Sequence, residues 1–213
     1  MLIDLFGEAL SGRPSHEIAI HLEGSSRFLI ESEKFVLIPS VSPIVRGHCM
    51  ILPKFESFGF NHAAKDSSFI GFFESVVSRT MFREGYSLFE HGILSPDEYS
   101  GTVTHAHLHI IPSQEELIIS LKVRCKEIAE FETNNFLPIN HITDIRAGCE
   151  MGYSYIFGQS AGKTPFCTTG KDIPSHVIRN VAVDSGIDCA RNWRRLGYWQ
   201  RFRDTISDFK RKN

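Results

Sequence analysis

The sequence predicts an α+β protein: an antiparallel sheet with one long crossover helix, followed by a mixed C-terminal extension. Three observations carry this. Short runs rich in β-branched and aromatic residues, parted by turn residues, open the chain. A helical repeat of apolar residues then interrupts them once, between residues 63 and 82. Strand-like runs resume beyond it and end at Pro112.

In chain order, residues 17–22, 27–30 and 35–38 read as strands, separated by Gly24-Ser25-Ser26 and by Ser32-Glu33-Lys34. A loop over residues 39–47 leads to a strand at 48–52, stopped by Pro53. The helix over 63–82 rests on Phe69, Phe72, Phe73, Val76, Val77 and Met81, with Gly85 as its C-terminal stop. A strand over 86–90 runs into His91-Gly92. After a polar loop holding Pro96, Asp97 and Gly101, a strand over 103–111 ends at Pro112. The pattern then loosens. A short helix at 115–121 and a β-pair, 153–157 with 164–167, are expected. A helix follows over 176–184, with Pro174-Ser175 before it and Gly186 after it. A last amphipathic helix carries Trp199, Phe202, Ile206 and Phe209.

The 213 residues carry a formal net charge of −2, with 42% hydrophobic and 23% charged residues. Such a chain can bury a core and lacks the basic excess of broad nucleic-acid or membrane binding. The basic cluster at Arg191, Arg194, Arg195, Arg201, Arg203, Lys210, Arg211 and Lys212 reads as a solvated helix face and tail. The N-terminus has acidic residues and no basic stretch before its apolar ones, unlike a signal peptide. No apolar run approaches the roughly 18 residues of a membrane span. Cys49, Cys125, Cys149, Cys167 and Cys189 form no C-x-x-C pair, so buried free thiols in a cytoplasmic protein are expected.

The segment His105-Ala106-His107-Leu108-His109 stands out. On a strand, successive side chains alternate faces, which would set three imidazoles about 6 to 7 Å apart over an apolar backing. Three readings compete. Core histidines that only hydrogen-bond would each need a partner. A metal site could use His-x-His, although no Glu or Asp stands at a familiar ligand spacing. In the third reading a neutral imidazole attacks phosphorus, while its neighbours orient it and offset the phosphate charge.

His-x-His-x-His followed by Ile110, Ile111 and Pro112 resembles the signature of the histidine triad superfamily. So does the upstream run Pro43-Ile44-Val45-Arg46-Gly47-His48-Cys49-Met50-Ile51-Leu52-Pro53-Lys54. Phe89-Glu90-His91-Gly92 and Thr102-Val103-Thr104 match in order, so the resemblance covers residues 16–113. Ile173-Pro174-Ser175-His176, Arg179 and Asn192-Trp193-Arg194 resemble a longer bacterial subset. The resemblance implies a catalytic domain over 1–113 and a C-terminal extension or subdomain, 114–213, packed on it.

It implies a nucleotidyl hydrolase acting on a phosphoester, phosphoanhydride or phosphoramidate, with His107 as covalent nucleophile and no metal or cofactor. His105 would hold the other ring nitrogen of His107 through a chain that His48 joins. His109 would contact a phosphate oxygen or protonate the leaving group. Its presence, where transferase and phosphorylase branches carry Gln, points to the hydrolases. Substrate contacts fall on Thr102, Gly101, Ser40, Glu90 and His91. Arg46, in the loop before His48, is in reach of a phosphate or else solvated. The partner implied is a nucleotide or nucleotide conjugate, and the assembly a homodimer. Ser40 replaces a customary Asp, Glu90 a customary amide, and the loop after Gly92 is long. These departures touch substrate recognition. The open alternatives are a transferase or phosphorylase, a metal-dependent enzyme, and a nucleotide-binding module with weak catalysis. His176 and Arg179, three residues apart on one helical face, are candidates for the pocket rim.

Overall fold

Alternating side chains along β-strands sort themselves onto two sheet faces, and here both faces are apolar and both are covered. The computed structural model describes residues 10, 16–22, 24, 26–93, 105–131, 135–137, 140–144, 154–170, 173–174, 176–192 and 197–211. Among them run β1 (Ile30–Glu31), β2 (Phe35–Pro39), β3 (Cys49–Pro53), β4 (Tyr86–Ile93), β5 (Leu108–Pro112), β6 (Asn135–Leu137), β7 (Ser154–Ser160) and β8 (Phe166–Gly170). They form one sheet in the order β1-β2-β3-β5-β4-β7-β8-β6, antiparallel at every pairing. The α+β class is therefore what the chain adopts. Strands from the second half of the chain continue the same sheet, because β7 pairs with β4 from Ser87↔Ser160 to Ile93↔Ser154.

One face buries Phe35, Leu37, Cys49, Ile51, Leu88, Leu108, Ile110, Tyr155 and Phe157. Against it lie α2 (Phe60–Ala63), α3 (Ser68–Val77) and α4 (Thr80–Arg83), through Phe60, Phe69, Phe72, Val76 and Phe82. The opposite face buries Phe89, Ile111, Ile156 and Phe166 under α5 (Glu115–Phe131) and α6 (Val177–Asp184). Each large apolar side chain so buried contributes roughly 1.5–3 kcal/mol. The described cysteines, Cys49, Cys125, Cys167 and Cys189, are buried and lie outside any disulfide. Among the described residues, no helix is long and apolar enough to cross a membrane.

Several expectations change, each for a local reason, and the strand expected over 27–30 shrinks to Ile30–Glu31. Residues 17–22, expected as a strand, lie in helix α1 (His16–Leu22). Ile18 and Leu22, one helical turn apart, enter a cluster with Phe202 and Ile206 of α7 (Trp199–Lys210), whereas Ile20 stays 59% exposed. The single helix over 63–82 is broken into α3 and α4, with α2 ending where it was expected to begin. Asp66 Oδ1 accepts from both the N–H and the hydroxyl of Ser68, capping a new start. At Arg79 the backbone turns extended (ψ 142°) before α4, after the Ser75 and Ser78 hydroxyls have engaged backbone carbonyls. The helix expected over 115–121 continues to Phe131, because the buried spacing of Leu117 and Leu121 carries on through Cys125 and Ile128.

Candidate active site

The register of three neighbouring strands assembles the histidines. His109 lies on β5 opposite Met50 of β3 on one side and Phe89 of β4 on the other. His48 immediately precedes β3 and shares its face with Met50; His91 follows Phe89 on β4 by two residues, hence on the same face. The expected strand over 103–111 begins only at Leu108, and residues 103 and 104 lie outside the described residues. Ahead of it, Ala106 N–H donates to the Ser57 carbonyl at 2.7 Å, so residues 105–107 are pinned to the segment after β3. The three imidazoles thus do not repeat at strand spacing. His107 stands edge-on to His109, with ring centroids 5.0 Å apart and planes at 75°.

Partners determine the tautomers. The Ile44 N–H donates to His48 Nδ1 at 3.0 Å, so the proton of neutral His48 is on Nε2. That N–H donates to His109 Nδ1 at 2.8 Å, leaving the proton of neutral His109 on its own Nε2. Phe89 stacks on the His109 ring at 4.6 Å and 15°, fixing its plane. A carbonyl can only accept, so His107 Nδ1–H donates to the His105 carbonyl at 2.9 Å, and the His107 Nε2 carries a lone pair. His105 donates through Nε2–H to the Pro53 carbonyl at 2.8 Å. His107 is therefore oriented by the backbone of His105 rather than by its ring, and His48 joins His109 rather than His105.

Burial disfavours the charged form of His48, His91, His107 and His109. It pushes His107 down to about 4, although the bond to the His105 carbonyl opposes the shift. His48 and His109 are driven well below their ordinary range, first by burial and then by neighbouring positive groups, Arg179 among them. His91 falls to about 4 through burial, with His107 and His176 adding to it. Its Nε2 is a buried nitrogen without a hydrogen-bond partner among the described residues, which leaves it open to a ligand.

The other expected contacts are spread out. Glu90, at 1% exposed, points to the opposite sheet face. Its Oε1 accepts from the Phe60 N–H at 2.8 Å and its Oε2 from the Tyr155 hydroxyl, and the His107 backbone N–H also bonds to it. Burial raises its carboxyl to about 8 against those bonds. Ser40 is buried, its N–H bonded to the His48 carbonyl. Arg46 forks onto Asp208 of α7 at 2.7 and 2.8 Å. Gly101 and Thr102 lie outside the described residues. Also among the described residues, no group of three or more His, Cys, Asp or Glu side chains is placed to hold a metal ion.

Arg179 of α6, from far along the chain, comes within electrostatic reach of His48 and His109. It is 8% exposed and donates to the carbonyls of Ser42 (2.5 Å) and Ala190 (3.1 Å). His176, at the start of α6, holds a left-handed backbone (φ 66°) and lies within electrostatic reach of His91. Phe89, Tyr155 and Phe60 complete the surroundings. Nothing in their local sequence separates them from other core aromatics.

With this geometry in view, the solved structures the chain matches can be set beside it. A "Hit Like Protein" is 20% identical, over 51% of this chain and 97% of that one, at a TM-score of 0.38. A hypothetical histidine triad nucleotide-binding protein from Sulfolobus tokodaii is 25% identical, over 45% and 66%, at 0.31. These neighbours are histidine triad proteins. A yeast Ap4A phosphorylase in complex with AMP is 13% identical, over 71% and 63%, at 0.39. No protein-family model and no curated protein sequence matches the chain.

Proposed function

We propose that the protein hydrolyses a nucleotide phosphate bond through a covalent nucleotidyl intermediate on His107. One observation carries the reading: the Nδ1 proton of His107 is committed to the His105 carbonyl, so a neutral ring presents the Nε2 lone pair. In the first step that lone pair attacks the α-phosphorus. A P–N bond forms, the bond to the leaving group breaks, and its electron pair departs with the leaving group. The His109 Nε2–H, oriented by His48 and Phe89, donates to a non-bridging phosphate oxygen as charge builds there. In the second step water attacks phosphorus, the P–N pair returns to Nε2, and one water proton passes to solvent. A neutral His109 is a hydrogen-bond donor rather than an acid. A leaving group that departs as a stable anion, as from a phosphoanhydride, therefore suits the site best.

The resemblance of residues 43–54 and 105–112 to the histidine triad superfamily supports the same chemistry, the nucleotide as substrate, and a two-copy assembly. The test is to trap the adduct from a panel of nucleotides and nucleotide-sugars and locate it by mass spectrometry under alkaline conditions, where phosphorus–nitrogen adducts persist. The adduct is expected on His107, and His107→Asn is expected to lower turnover at least about a thousandfold with circular dichroism unchanged. A folded His107→Asn protein that still turns over its substrate would sink the assignment.

A further inference from the structure

We propose that Arg179, carried by α6, binds an anionic oxygen of the substrate's phosphate on the His109 side of the triad. This rests on reading the site as a phosphate-handling one, and it makes the second half of the chain part of the binding machinery.

The argument is one of charge. Arg179 is 8% exposed, and both of its bonds go to neutral carbonyls, those of Ser42 and Ala190. A guanidinium has five N–H donors, so three have no partner among the described residues. No described carboxylate pairs with it either. Asp188, two residues before Ala190, is paired with Arg201 at 3.1 Å. A buried cation without an anion costs several kcal/mol, and holding two carbonyls needs only a neutral donor. A full charge is retained where an anion arrives to meet it.

Its position says which anion. Arg179 acts electrostatically on His48 and His109, the pair whose relay ends in the outward Nε2–H of His109. Its Ser42 contact lies in the same loop as Ile44, whose N–H sets the His48 tautomer. On the other flank stands the His91 Nε2, without a hydrogen-bond partner among the described residues. A phosphate whose phosphorus faces His107 would meet a donor at His109 and the fixed charge of Arg179 beside it. The planar fork of arginine suits two oxygens of one phosphate.

Inorganic phosphate is the probe that separates this proposal from the catalytic one. Its affinity is measured by calorimetry for the wild type, Arg179→Met and His107→Asn, beside the turnover of each. Arg179→Met should weaken phosphate binding about tenfold or more, and His107→Asn should leave it near the wild-type value. Binding by Arg179→Met within about twofold of wild type overturns the proposal, as does a wild type that binds no phosphate. Turnover by His107→Asn would instead overturn the nucleophile and leave the arginine site standing. A second measurement uses the wild-type protein, in case Arg179→Met does not fold. The Arg179 Nε–H resonance, assigned by its loss in Arg179→Lys, should shift on adding phosphate or adenosine 5′-monophosphate and stay in place with adenosine. No shift with either anion overturns the proposal.

Discussion

Two walls of the site are built in different ways. The wall formed by β3, β5 and β4 carries His109, Phe89 and His91 on ladder hydrogen bonds, with a packed apolar layer behind it. The facing loop, residues 40–47, has no ladder of its own and is held by side chains from α6 and α7. Arg179 takes the Ser42 carbonyl and Arg201 the Ile44 carbonyl. The Thr205 hydroxyl accepts the Gly47 N–H at 2.9 Å, and Asp208 grips Arg46. His48 sits where the two walls join, with one ring nitrogen on each. The first wall resists distant change because many backbone bonds must yield together. The second can be tuned one side chain at a time, from more than a hundred residues away in sequence.

The largest effect that would sharpen this contrast is expected at Glu90, behind the sheet wall. Glu90→Ala strands the Phe60 N–H and the His107 N–H and leaves the Tyr155 hydroxyl only its long bond to Asn61 Oδ1, at 3.3 Å. It should cost about 3 kcal/mol or more in urea unfolding. Glu90→Gln keeps a carbonyl oxygen and an amide for those groups and should cost less than half as much. Equal losses would mean that volume, not hydrogen bonding, is what Glu90 supplies.

Titration comes next in size. His91 and His107, held near 4 against an ordinary 6.5, bind fewer protons folded than unfolded. Their contribution to stability is present above pH 6.5 and is lost as pH falls toward about 4. Glu90 runs the other way. Its carboxyl is raised from 4.5 to about 8, so its contribution is present below about 4.5 and is lost as pH rises through about 8. Stability should therefore peak near pH 6.5. Glu90→Gln should flatten the alkaline limb and steepen the acid one between about pH 4.5 and 6.5. An unchanged alkaline limb in that variant would assign the slope to another group.

The loop wall should give smaller numbers. Thr205→Val leaves the buried Gly47 N–H unpartnered, an expected cost of about 1–2 kcal/mol. Arg46→Ala removes an ion pair whose arginine side chain is 55% exposed, for less than about 1 kcal/mol. A Thr205→Val loss as large as that of Glu90→Ala would erase the distinction between the walls.

What was legible in the sequence follows the same division. β2, β3, β4, the end of β5 and the helices α6 and α7 show in local periodicity, because each buries a regular face. The triad shows for a similar reason: its residues are neighbours in sequence. Residues 17–22 misled because Ile18, Ile20 and Leu22 satisfy both strand and helix spacing, and only packing on Phe202 and Ile206 decides. The breaks at Asp66 and Arg79 turn on single side-chain bonds that compete with the backbone. In the site, alternation set the three histidines on one regular strand. The backbone bond from Ala106 to Ser57 prevents that. Arg46, read as in reach of a phosphate or else solvated, is bonded to Asp208, and the spacing that makes His176 and Arg179 candidates for the pocket rim says nothing of the bonds from Arg179 to Ser42 and Ala190. Pairings across 160 residues leave no periodic trace.

The seven pairs between β4 and β7 carry a consequence for biosynthesis. When Pro112 has left the ribosome, β4 can already join β5, yet its other edge has no strand to meet until Ser160 follows. At about 5–20 residues per second that interval lasts several seconds. A bare edge beside freshly collapsed apolar surface invites pairing with another nascent chain. The exposed edge of β4 thus persists while the second half of the sheet is still being translated, and it closes only when β7 arrives.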